Sequence, residues 1–217
     1  WLRNYTLDPH DPTRPFQAGW LLDYDPDALD VKALDVVAFL DPAVSRTGCP
    51  RALVVVGADR QGGTRYVLDA WIERGTPAEM LEQLFRVHEA WQPRVIGIES
   101  NGGYALLRPL MAVHEQRRNR RLPVRYVNHS RPKDLRIEAL SAAFEAGLWR
   151  FPSRRPPGCP DMRGLRTLQD QFLAYPDGYV DGPDATAGCD ELFPEAMRTR
   201  RRGVYKSLSR RVDFSAL

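Results

Sequence analysis

The sequence predicts an α/β domain: a mixed sheet whose first three strands are antiparallel and whose later strands are parallel, with helices on both faces. Three observations lead there. Val36-Val37-Ala38-Phe39-Leu40 is an uninterrupted apolar run with two β-branched residues, which reads as a strand buried on both faces. Residues 52–59 and 64–71 are two further β-rich runs flanking Arg60-Gln61-Gly62-Gly63, which reads as a hairpin. Beyond them helical and strand patterns alternate, as crossovers in a parallel sheet require.

Taken in order, residues 1–34 are rich in Pro and Asp, follow no sustained period and predict an irregular arm with little regular structure. After the first strand and the 52–71 hairpin, Thr76-Pro77-Ala78-Glu79 forms a capping box with proline at the first helical position. Met80, Leu81, Leu84, Phe85, His88 and Trp91 then supply the apolar stripe of a helix. A strand at 94–99 follows. Leu106, Leu107, Leu110, Met111 and His114 suit another helix, which Pro109 makes start or bend near Arg108. A short strand is expected at 123–127, one helix from about Lys133 striped by Ile137, Leu140, Phe144 and Leu148, and a short strand at 149–151. Met162, Leu165, Leu168 and Phe172 mark the next helix, and the last runs from about Pro183 to Phe193, before Pro194. The expected division is an arm at 1–34, one domain at 35–197 and a basic tail at 198–217.

The 217 residues suffice for one substantial core. No stretch is long and apolar enough to span a bilayer, and no signal-like segment opens the chain, so no membrane partner is expected and the protein is not expected to be secreted. Trp1 in place of Met favours a fragment. Cys49, Cys159 and Cys189 are odd in number and never paired as C-x-x-C, which argues against a zinc site or a disulfide frame. The four histidines lack ligand spacing and read as structural or surface residues.

Net charge is only +3, but its distribution is uneven. Arg117, Arg118, Arg120, Arg121, Arg125, Arg131, Lys133 and Arg136 face one acid, Asp134, and a second excess of bases follows Arg198. Clusters of this kind suit either a polyanion partner or a solvated face.

The chemistry lies in the acids. The first strand ends at Asp41, just before Pro42, and the 94–99 strand ends at Glu99, before Ser100-Asn101-Gly102-Gly103. A third acidic site, Asp181-Gly182-Pro183-Asp184, comes at a helix start. A carboxylate beside a buried strand is costly unless it is hydrogen-bonded, paired or holding a metal. Three such sites are what two Mg²⁺ or Mn²⁺ ions need, since these hard cations take oxygen ligands that bridge and cap them. Each acid also has a plainer reading: a turn at Asp41, loop chemistry at Glu99, and helix-dipole preference at Asp181 and Asp184. One metal site replaces three separate explanations.

Leu40-Asp41-Pro42-Ala43, Ile98-Glu99-Ser100-Asn101-Gly102, Lys133 with Arg136-Ile137, and Asp181-Gly182-Pro183-Asp184-Ala185 together resemble the motifs of the nuclease domain of viral large terminases, the DNA-packaging motors of tailed bacteriophages. The resemblance covers roughly 36–197 and implies a ribonuclease H-like fold. The family often carries two adjacent aspartates at its last motif, and here the first of that pair is Val180. The implied activity is endonucleolytic cleavage of concatemeric double-stranded DNA by two-metal-ion hydrolysis, in the cytoplasm of an infected host. Asp41 would bridge the ions, Glu99 and Asp181 would complete their shells, and Asp184 would ligate directly or through water. Asp181 is therefore expected to matter more than Asp184. Lys133 and Arg136 would meet phosphates, as would Arg117, Arg118, Arg120 and Arg121. Further implied partners are the ATPase domain of the same full-length chain, a portal or procapsid, and a small terminase subunit. No G-x-x-x-x-G-K-[ST] occurs, so the chain has no P-loop of its own. Two alternatives stand beside this: a junction resolvase or other structure-specific nuclease of the same fold, and a catalytically silent DNA-binding or docking module.

Overall fold

In the computed structural model, residues 13–42, 50–61, 63–100, 107–195 and 197 are described. Residues 1–12, Cys49, Asn101 to Gly103 and the basic tail from Arg198 lie outside them. Seven strands form one mixed sheet: β1 Leu22–Tyr24, β2 Leu34–Asp41, β3 Arg51–Asp59, β4 Arg65–Glu73, β5 Val95–Glu99, β6 Val124–Val127 and β7 Trp149–Pro152. Their spatial order is β1-β7-β4-β3-β2-β5-β6. β2, β3 and β4 run as an antiparallel meander, while β2–β5, β5–β6, β4–β7 and β1–β7 are parallel. Every residue of β2 but Asp35 is buried, as its apolar run demands of a central strand.

Helices α1 Pro77–Trp91, α2 Leu107–Arg118, α3 Lys133–Glu138, α4 Ser141–Glu145, α5 Arg163–Ala174 and α6 Asp181–Leu192 cover the sheet. Side-chain alternation along β4 separates the layers. Asp69 turns to α1, where Arg86 and Trp91 donate to its carboxylate at 2.7 and 3.0 Å. Ile72, of opposite parity, lies under Gly182 of α6. The capping box at Thr76 and Glu79 forms as its spacing requires.

Three features depart from the sequence reading. The described part of the arm carries structure: β1 extends the sheet along β7, and Phe16 is buried with its ring 4.8 Å from that of Phe172 and 5.2 Å from that of Phe144. The helix expected from Lys133 is two, α3 and α4. At their junction the Leu140 amide bonds the Ile137 carbonyl three residues back and the Ser141 hydroxyl takes the Glu138 carbonyl, which together break the α-helical ladder. Finally, α6 begins at Asp181, ahead of the expected Pro183, and places both acids in its first turn.

Candidate metal centre

Two registers build the site. In the first, Phe39 pairs with Gly97 and Leu40 with Ile98 in the parallel β2–β5 ladder. One residue beyond these rungs stand Asp41 and Glu99, level with each other and on the same face of the sheet. The second lies between helix and sheet. Phe39 points into α6, and a Cβ on Gly188 would meet the Phe39 ring at 2.5 Å, while one on Gly97 would meet it at 2.4 Å. The bare backbone at both positions lets α6 settle close over β2 and β5. Asp184 lies one turn before Gly188 and Asp181 two turns before it, so the same face of α6 carries both acids toward Asp41.

One carboxylate oxygen from each of Asp41, Glu99 and Asp184 lies within 4.8 Å of the other two. Asp181 is outside that trio but shares its cation. Lys133 Nζ stands 3.1 Å from Asp41 Oδ2, 3.3 Å from Asp184 Oδ2 and 3.7 Å from Asp181 Oδ1. Arg136 Nη2 lies 2.7 Å from Asp184 Oδ1 and 3.7 Å from Glu99 Oε1. Both bases come from α3, which packs against α6. Burial and, secondly, repulsion from Asp41 raise the Glu99 pKa, while Arg136 and His129 hold it down. Burial raises Asp184 to about 6 against the pull of Lys133 and Arg136, and raises Asp181 against the pull of Lys133. For Lys133 burial works against the charge, but Asp41, Asp184 and Asp181 outweigh it and push the pKa upward.

The donor set fits a hard divalent cation: oxygen ligands only, drawn from three rigid elements. A second observation agrees. Asp184 Oδ1 is buried and, despite the nearby guanidinium, makes no hydrogen bond of acceptable geometry. Beyond the Arg136 ion pair, that buried oxygen keeps acceptor capacity that a cation would use. Lys133 Nζ meanwhile supplies positive charge to three of the acids.

The residues named from the sequence divide accordingly. Asp41, Glu99, Asp181, Asp184, Lys133 and Arg136 come together. Arg136 does not present itself to a phosphate, as was expected of it: its side chain is 3% exposed and turned to Asp184 and Glu99. Of the α6 acids, Asp184 joins the trio and Asp181 does not, although Asp181 was expected to matter more. Of the arginine cluster, Arg118 pairs with Glu82 at 2.5 Å and lies over the Phe85 ring, and Arg120 reaches Glu89 at 3.5 Å. These two brace α1. Arg117 and Arg121 remain exposed. His129 carries no signal in the sequence; its side chain is buried beside Phe39, reaches Glu191 of α6 at 3.0 Å and is one of the groups that hold the Glu99 pKa down. A lone histidine two residues past a short strand carries no spacing signal.

Comparison with known proteins agrees with this architecture. The profile of the family described as "Terminase RNaseH-like domain" matches residues 38–163. The human cytomegalovirus terminase nuclease domain is similar with a TM-score of 0.60 and 14% identity, over 83% of this chain and 93% of that one. For the P22 large terminase nuclease domain the values are 0.57 and 15%, over 87% and 97%. The nuclease domain of the bacteriophage SPP1 large terminase, solved with bound Mn, gives 0.53 and 12%, over 78% and 93%. No curated protein sequence matches the chain.

Proposed function

We propose that this chain, which belongs to the terminase RNase H-like domain family, is the metal-dependent endonuclease of a viral DNA-packaging motor, cutting double-stranded DNA by phosphodiester hydrolysis with two Mg²⁺ or Mn²⁺ ions. The observation that carries the reading is the convergence of Asp41, Glu99 and Asp184 from β2, β5 and α6. When bound, such ions supply a water of lowered pKa and an electrophile for the leaving oxygen.

The chain's own residues do the positioning. Asp41, Glu99 and Asp184 would hold the first ion, and Asp41 with Asp181 would contribute to the second. Four carboxylates against Lys133 and Arg136 leave a formal charge of −2, which one divalent ion neutralises. The second ion's charge would be balanced by the incoming phosphate. Arg136, buried beneath Asp184 and Glu99, favours their charged forms against the burial that opposes them and holds both in place. Lys133, about a third exposed at the mouth, offsets part of the carboxylate charge and can turn toward the scissile phosphate. The ATPase domain, portal or procapsid and small subunit are the partners this reading implies, and host cytoplasm its location.

Nicking of supercoiled plasmid tests it. The domain should nick with Mn²⁺ or Mg²⁺ and not with EDTA, and Asp41→Asn should abolish nicking while leaving the melting temperature intact. Full activity in a folded Asp41→Asn protein would overturn the site. Cleavage confined to four-way junctions would favour a resolvase, and duplex binding without any cleavage would favour a silent module.

A further inference from the structure

The catalytic end of the sheet carries an exposed pair outside the acid cluster and outside the arginines singled out in the sequence. Tyr179 lies two residues before Asp181 and is 51% exposed, one of few large apolar side chains so placed among the described residues. Arg74, the residue that follows β4, is exposed, and its Nη2 donates to Tyr179 Oη at 3.5 Å. Among the described residues no carboxylate lies within ion-pair distance of Arg74. β4 ends at the same edge of the sheet at which β2 ends, because β3 runs antiparallel to both. The pair therefore flanks the acids on the β4 side, while exposed Arg125 and Arg131 flank them on the β6 side.

The loop that carries Tyr179 is held at its base. Arg14 Nη1 donates to the Ala174 carbonyl at 2.9 Å and Arg14 Nη2 to Asp177 Oδ2 at 3.3 Å. Tyr175 is buried against Phe16, and Val180 caps α6. Gly178, at φ +80°, makes the left-handed turn that carries the chain out to Tyr179. An aromatic side chain this exposed on a loop this anchored costs little ordering entropy when it binds.

We propose that Arg74 and Tyr179 form a phosphate clamp for duplex DNA, gripping the backbone beside the scissile bond. The inference rests on the nuclease reading above and names a contact that reading lacks. The chemistry is specific. The guanidinium keeps most of its five donors free, and a phenol that accepts from Arg74 still has its own hydrogen to donate. Donor heavy atoms 3.5 Å apart suit two oxygens of one phosphate. Two residues of chain span at most about 7 Å between Cα atoms, which keeps Tyr179 beside the acids at the start of α6. Such contacts orient the strand and read no sequence.

The test is anisotropy titration of a fluorescent duplex across a salt series, with nicking kinetics in Mn²⁺, for Arg74→Gln, Tyr179→Phe and, as control at the opposite end of the sheet, Lys32→Gln. Arg74→Gln should weaken binding of all duplex sequences and lower the slope of log affinity against log salt by about 0.9. Tyr179→Phe should raise KM several-fold at nearly constant kcat without changing that slope. Melting temperatures and the Mn²⁺-induced shift should stay at wild-type values in both, and Lys32→Gln should change nothing. An Arg74→Gln protein with wild-type affinity and slope overturns the clamp while leaving the nuclease reading in place. A wild-type domain that binds no duplex overturns both.

Discussion

Substituting Gly188 by alanine separates the site from the fold that carries it. The new Cβ would lie 2.5, 2.6 and 2.7 Å from three atoms of the Phe39 ring. Carbon atoms pack at about 3.5–4.0 Å, so helix and strand must part by about 1 Å. The ring has little room to retreat, because Gly97 closes on its other side. Asp184 rides on the same helix face, one turn away, and moves with it. Its oxygen now lies within 4.8 Å of those of Asp41 and Glu99. Two ligands on one Mg²⁺, at about 2.1 Å each, can be no more than about 4.2 Å apart. The trio must already draw together to close on an ion, and an added ångström at Asp184 works against that. Overpacking costs about 1–3 kcal/mol, but alanine in place of a helical glycine returns about 1 kcal/mol. The melting temperature should therefore fall only a few degrees, while Mn²⁺ affinity and nicking fall about 100-fold. Calorimetric titration of Mn²⁺ beside thermal melts checks this, and partial recovery of Mn²⁺ binding on adding Phe39→Leu would identify the contact. A Gly188→Ala protein that binds Mn²⁺ and nicks like wild type would refute the packing argument.

Asp184→Ala should cost more nicking activity than Asp181→Ala under identical Mn²⁺ and salt, and the reverse ranking would show that the trio is not the tighter ion site. The raised Asp184 pKa gives a pH dependence. The folded state holds that proton more tightly than the unfolded chain, so the associated stability is present below about 4 and is lost as pH rises to about 6. The loss is about 3 kcal/mol in the metal-free protein. Metal-free melting temperatures should fall across that window, Mn²⁺ should restore them above it, and Asp184→Asn should flatten the curve; a curve that keeps its slope in Asp184→Asn would assign the proton elsewhere. Among the clustered arginines, Arg118→Gln should lower the melting temperature through loss of Glu82 and Phe85. Arg117→Gln with Arg121→Gln should leave stability unchanged and reduce the salt slope of DNA binding. Equal effects of the two variants on melting would mean that Arg118 braces nothing.

The parts legible in the sequence are those whose signal is local. β2 and β5 announce themselves because strands buried on both faces must be apolar throughout, and their terminal acids stand out against that background. The α1 cap is local for the same reason. β1 was illegible because a three-residue edge strand is too short to show a period and depends on β7, more than a hundred residues away. Charge type was readable at Lys133, Arg136 and the arginine cluster, but direction was not. Whether a guanidinium meets a phosphate or a neighbouring acid is decided by which helices pack together. α3 against α6 buries Arg136, and Arg118 finds Glu82 only because α2 lies beside α1. His129 was missed for that reason too.

The acids receive most of the chemistry, yet their convergence is set by residues with no chemistry at all. Phe39 is the wedge. Gly97 on one side and Gly188 on the other approach it more closely than any Cβ would allow, so the ring sets both the height of α6 above the sheet and its position over the β2–β5 rung. Asp41 and Glu99 are fixed relative to each other by backbone hydrogen bonds, which tolerate side-chain change well. Asp184 and Asp181 are fixed relative to that pair by helix–sheet packing and by the Lys133 and Arg136 ion pairs, with no backbone ladder between them. The helix–sheet register is therefore the weaker of the two constraints. Sensitivity of metal binding to mutation should follow the small residues of α6, Gly182, Ala185 and Gly188, before it follows the strands that carry the other two ligands.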